Sequence, residues 1–134
     1  MREIEVVKEF TFDSAHYIPR YEGKCRNIHG HTYRLQIGFK GLITETGMVI
    51  DFAYIKQAVK DLVVDKLDHA FLNELDYCSF PKEMPTAEKM VNWIVCIIQS
   101  LRLPSQLSAS LRLSFVRLYE TPTSYAEWRE ENAP

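Results

Sequence analysis

The sequence predicts an α+β fold, a sheet of antiparallel strands with two helices packed on one of its faces. Three observations carry this. Apolar and polar residues alternate over two long stretches in the first forty residues; apolar residues recur at helical spacing after Asp51 and again after Thr86; and a β-rich stretch, Ser110 to Glu120, follows the second helical segment.

In the first stretch Ile4, Val6, Phe10 and Phe12 share one parity while Glu5, Glu9, Thr11 and Asp13 take the other, which describes a half-buried strand with His16 on its apolar side. In the second, His29, His31, Tyr33, Leu35, Ile37 and Phe39 oppose Gly30, Thr32, Arg34, Gln36, Gly38 and Lys40, so both histidines point to the core. Gly41 to Gly47 supplies turn residues, and Met48, Val49 and Ile50 read as a short third strand ended by Asp51, itself a good N-cap. An amphipathic helix with Phe52, Ile55, Val59, Leu62 and Val63 on its buried side then runs to about Leu67 and delivers Asp68 and His69. Tyr77 to Pro85 is an irregular connection. Thr86 caps a second helix, whose stripe is Ala87, Val91, Ile94, Val95, Ile98 and Leu101 and which Pro104 closes. In the last strand the apolar parity changes between Phe115 and Val116, which predicts a bulge. The order is β, β, β, α, α, β; the uncovered face meets solvent, and the end strands are edges that a neighbouring subunit can occupy.

At 134 residues, 46% hydrophobic and 25% charged, the chain is expected to form one globular domain over residues 1–134. Sixteen Lys and Arg against 18 Asp and Glu leave a net charge of -2, which disfavours nucleic acid as a partner. The most apolar run, Trp93 to Leu101, is interrupted and too short for a membrane span. Met1 to Phe10 lacks the apolar middle of a secretory signal, so a cytoplasmic location is expected. Three cysteines without regular spacing argue for reduced thiols, with Cys78 and Cys96 structural.

His29 and His31, two apart on a strand, project their imidazoles in one direction, and antiparallel pairing through the intervening loop brings His16 beside them. Three neutral imidazoles suit zinc and leave a fourth position for water or substrate. Cys25 admits two readings: a fourth ligand closing a structural site, or a free acid/base thiol beside an open one. Lys24 and Arg26 flank it and would stabilise a thiolate. Asp68 directly precedes His69, Glu88 lies in a helix's first turn where an acid is favourable anyway, and Glu120 ends a strand where it is either solvated or placed to grip paired N–H donors.

Six ordered motifs, Phe12-Asp13-Ser14-Ala15-His16, Cys25-x-x-x-His29-Gly30-His31, Gly47-Met48-Val49-x-Asp51-Phe52, Leu67-Asp68-His69-x-x-Leu72-Asn73, Pro85-Thr86-x-Glu88 and Glu120-Thr121-Pro122-Thr123-Ser124, resemble the 6-pyruvoyl-tetrahydropterin synthase / 6-carboxy-tetrahydropterin synthase family over nearly the whole chain. The resemblance implies the tunnelling fold, a four-stranded antiparallel sheet with two helices on one side, assembling as a homohexamer (a dimer of trimers). It implies one Zn2+ per subunit on His16, His29 and His31, and Cys25 as proton acceptor. His69 and Glu120 would act as a relay with it, and Asp68 would support His69. Glu120, Glu88 and Thr86 would hold the pterin of 7,8-dihydroneopterin triphosphate. The three-residue gap between Cys25 and His29 is similar to the 6-carboxy branch, which releases acetaldehyde and triphosphate and feeds queuosine synthesis. The alternatives are the 6-pyruvoyl product and, more remotely, a non-catalytic zinc-stabilised binding module.

Overall fold

Residues 2–103 and 109–130 are described by a computed structural model. The two alternating stretches form β1 (Glu3–His16) and β2 (His29–Leu42), paired antiparallel from Glu3 opposite Leu42 to His16 opposite His29. On their core side Phe12, Tyr33, Leu35, Ile37 and Phe39 are buried. Asp51 caps α1 (Phe52–Val59), its carboxylate accepting the Ala53 N–H at 2.8 Å. The helix continues through a π-helical turn, Lys60–Val64, and a last α turn, Asp65–Leu67. It buries Ile55, Val59, Val63, Val64 and Leu67, but Phe52, expected on the buried side, is 52% exposed at the helix entrance. The Thr86 hydroxyl caps α2 (Ala87–Gln99) by accepting the Lys89 N–H at 3.2 Å. The buried stripe of α2 is wider than expected, taking in Met90 and Trp93, with Ala87 only half-buried. Cys96, read as structural within that helix, is exposed, because it shares the outer side with Asn92 and Gln99. Pro104 lies outside the described residues.

The sheet has five strands in the order β3, β1, β2, β4, β5, where β3 is Ala70–Phe71, β4 is Arg112–Thr121 and β5 is Ser124–Arg129. The four long strands are mutually antiparallel, as expected; β3 adds a fifth, parallel to β1 at Ser14 and Ala15. Met48–Ile50 is not a strand. Its apolar side chains fill the core without a ladder: consecutive Val49 and Ile50 are both buried, and the Thr44 N–H and hydroxyl close the loop onto the Met48 carbonyl at 2.9 and 2.7 Å. The α2 helix packs over β4 and β5, and the α1 run leans on β1. Among the described residues no helix is long and apolar enough to cross a membrane.

The expected bulge is present where β2 and β4 shift register between Gly38 and Phe39. Phe115 is thereby buried on the open face of the sheet, lying over Gly38 beneath the guanidinium groups of Arg117 and Arg129 at 5.5 and 4.5 Å from its ring. A Cβ at Gly38 would stand 2.3 Å from that ring. Gly38→Ala is therefore expected to cost about 1–3 kcal/mol, read as a lower denaturation midpoint in urea.

Candidate functional site

The antiparallel register sets the site. With His16 opposite His29, and Ser14 opposite His31, three rings on one side of the sheet meet where β1 ends and β2 begins. Their centroids are 4.6, 4.8 and 5.2 Å apart, and one ligand atom from each lies within 4.8 Å of the others. The sequence expectation that the three imidazoles converge is met. Among the described residues this group contains no sulfur.

Two backbone carbonyls decide the tautomers. His16 Nδ1 is 2.8 Å from the Pro85 carbonyl and His29 Nδ1 is 2.7 Å from that of Asn27, and since a carbonyl only accepts, each Nδ1 carries the proton. The two Nε2 lone pairs then face each other at 3.0 Å. Such an approach is repulsive unless a proton or a metal ion lies between the rings. Burial pushes the His16 pKa down, outweighing the Pro85 carbonyl that raises it, and burial also lowers that of His31, so a bridging proton is disfavoured. His31 Nε2 is buried without a hydrogen-bond partner, 3.6 Å from Glu120 Oε1. Facing lone pairs and an orphaned imidazole nitrogen fit a divalent metal with nitrogen preference, and zinc suits this donor set. Beneath the rings Tyr33 is fully buried, its hydroxyl 3.4 Å from His16 Nδ1. Burial pushes its phenol well up, so it stays protonated.

Two hollows flank the cluster. A cleft of about 610 Å³ brings together Cys25, Thr86, Glu88, Glu120, Tyr125 and Glu127 from four separate parts of the chain. Cys25 sits half-buried on a 3-10 turn, Lys24–Arg26, whose flanking cations are exposed. Glu120 follows Leu118 on the core side of β4, which is why its carboxylate reaches His31. Glu88 and Thr86 arrive together because the Pro85 carbonyl that holds His16 immediately precedes the cap of α2.

A second hollow, about 540 Å³, is lined by Asp13, His31, His69 and Phe71 among others. The structure therefore brings Cys25, Glu120, Glu88 and Thr86 to one wall, and places His69 and Asp68 at the other. His69 takes a left-handed backbone conformation (φ 59) with its side chain 80% exposed, and its Nδ1 donates to Asp68 Oδ2 at 3.0 Å. Asp68 Oδ1 accepts the Asp13 backbone N–H at 2.9 Å. That bond, with His69 adding to it, holds the Asp68 carboxyl below the usual carboxylate range. The carbonyls of Pro85 and Asn27 carry no signal in the sequence, since any residue supplies one. Tyr33 was visible only as one more apolar position.

Residues 5–131 match the family described as 6-pyruvoyl tetrahydropterin synthase. The chain is similar to the 6-carboxy-5,6,7,8-tetrahydropterin synthase of Haemophilus influenzae, 37% identical over 146 residues that cover 94% of this chain and 99% of the relative. It is equally similar to the protein of that name from Synechocystis sp., 37% identical over 128 residues that cover 92% and 91%. The solved 6-pyruvoyl tetrahydropterin synthase of Caenorhabditis elegans superposes with a TM-score of 0.78 at 26% identity and 96% coverage of both chains. Both curated relatives carry the 6-carboxy name, the branch to which the Cys25 to His29 spacing points. A match spanning all but the two ends, on a backbone that superposes throughout, means that this chain belongs to the 6-pyruvoyl tetrahydropterin synthase family.

Proposed function

We propose that the whole chain, as one domain, is a cytoplasmic, zinc-dependent lyase that converts 7,8-dihydroneopterin triphosphate to 6-carboxy-5,6,7,8-tetrahydropterin, releasing acetaldehyde and triphosphate on the way to queuosine. The observation that carries this is the cluster of His16, His29 and His31, with lone pairs directed inward, beside a cleft that bears Cys25 and Glu120. The three imidazoles would hold one Zn2+, which when bound polarises the hydroxyls of the substrate side chain and lowers their pKa.

Cys25, on the cleft wall, takes a proton from that side chain as its thiolate, and Lys24 and Arg26 favour the ionised form. Glu120 accepts paired N–H bonds from the aminopyrimidine edge of the pterin, with Glu88 and Thr86 on the facing wall. His69, oriented by Asp68, passes the proton on. Because His69 lines the other hollow, the relay is completed by a neighbouring subunit in a homohexamer, whose mass light scattering would report.

Glu120→Ala is expected to weaken pterin binding about 10- to 100-fold, as loss of hydrogen bonds to a charged acceptor implies, with metal content unchanged. Calorimetry with the pterin and metal analysis of the same sample check both halves. The overall reading is tested by incubating the metal-loaded protein with 7,8-dihydroneopterin triphosphate. Acetaldehyde supports it; triphosphate release with the three-carbon chain retained assigns the 6-pyruvoyl alternative; and bound metal with no turnover leaves a non-catalytic zinc-stabilised module.

A further inference from the structure

Past its last paired residue β1 has no neighbour on either side. Its ladder with β2 stops at His16 opposite His29, and its ladder with β3 stops at Ala15 opposite Phe71. Tyr17, the next residue, nonetheless has both backbone groups paired, and by a single side chain. The Asn73 Oδ1 accepts the Tyr17 N–H at 2.9 Å, and the Asn73 Nδ2–H donates to the Tyr17 carbonyl at 2.9 Å. A carboxamide is the side-chain group that matches a peptide in this way: a carboxylate lacks the donor, and the longer Gln places it one methylene further out.

Asn73 is itself held firmly. It lies in the 3-10 turn Leu72–Glu74, anchored by Leu72, which is completely buried, while the Phe71 ring lies 6.1 Å from that of Tyr17. On one side of Tyr17 stands His16. On the other, the Ile18 N–H donates to the Cys25 carbonyl at 2.7 Å, joining the turn that carries the thiol to the exit of β1. A displacement of Tyr17 is thus transmitted to a ring of the histidine cluster through one peptide unit, and to the Cys25 turn through one hydrogen bond.

We propose that Asn73 is a positioning residue, whose carboxamide replaces a missing strand partner at Tyr17 and so fixes the Cys25 turn relative to His16. The turnover part of its test rests on the function proposed above; the thiol part does not. In the metal-loaded protein, Cys25 is alkylated with iodoacetamide and quantified by peptide mass spectrometry, with exposed Cys78 and Cys96 as internal references. Asn73→Ala is expected to raise the Cys25 to Cys78 rate ratio about tenfold or more, since losing two bonds frees the turn to open. The same variant should lower kcat about 10- to 100-fold with KM changed less than about threefold, as misplacement of a reacting group predicts.

Asn73→Asp has the same size and keeps the acceptor for the Tyr17 N–H, but sets a second oxygen against the Tyr17 carbonyl. It should move both readouts in the same direction, and it decides the matter if the Ala variant does not fold. Val63→Ala, a buried helix position away from the clamp, should lower Tm and leave the ratio unchanged. Folded Asn73 variants with the parent ratio and parent kcat overturn the proposal, as does an equal change in Val63→Ala. Absence of pterin turnover in the unaltered protein, with the ratio still altered by Asn73→Ala, rejects the proposed function and supports the clamp.

Discussion

Cys25→Ala is expected to keep the metal stoichiometry of the parent protein and to lose turnover by on the order of 10³-fold, the typical worth of a positioned acid/base group. The geometry behind this is the separation of sulfur and imidazoles. The ligand atoms that gather within 4.8 Å of one another come from His16, His29 and His31, whereas Cys25 lines the cleft with Glu120. The opposite assignment, in which the thiolate closes the coordination sphere, predicts a different pattern: metal lost, stability lowered, and no special effect on kcat beyond unfolding. Metal analysis, Tm and kcat measured on one preparation separate the two. A Cys25→Ala protein that has shed its metal would overturn the role given to this thiol.

His16→Ala should be the most damaging single change to the metal centre. His16 is 1% exposed, so truncation opens a cavity, strips the Pro85 carbonyl of its partner and removes the ring that stands opposite His29. Metal content is expected to fall close to zero. The part of the stability loss due to the ion alone can be measured on the unaltered chain with a chelator. An ion present at about a hundred times its dissociation constant contributes about 2.7 kcal/mol, so chelation should lower Tm by on the order of 10 °C. His16→Ala should fall further, because chelation leaves the side chain and its Pro85 bond in place. Equal Tm values for the chelated parent and the variant would mean that the ring contributes nothing to the fold beyond holding the ion.

The two long strands were legible because one face of each is buried: strict alternation from Phe10 to His16 and from His29 to Phe39 leaves a single register of side chains. The same alternation placed His16, His29 and His31 on the core side. The Met48 to Ile50 segment misled because three consecutive apolar residues satisfy either a strand or an irregular plug of the core, and only the backbone partners distinguish them. Residues Ser124–Arg129 were missed as a strand because Glu127 and Arg129 make the stretch look solvated; in the fold these two pair with each other and with Arg117 on the open face. The division of the candidate site between two hollows was illegible for a different reason. Asp68 and His69 are tied to Asp13, more than fifty residues away, by backbone bonds that their own side chains do not announce.

The wide turn at Lys60–Val64 accommodates one residue more than a regular helix would, and it does so just ahead of Leu67, Asp68 and His69. Deleting a single residue there would let the helix close into ordinary geometry at little local cost. Everything downstream would then arrive rotated by roughly 100°. Leu67 would swing out of the core, and the Asp68–His69 pair would leave the end of β1. The surplus residue works as a phase adjuster, so this part of the chain tolerates exchange of its exposed side chains far better than any change in its length.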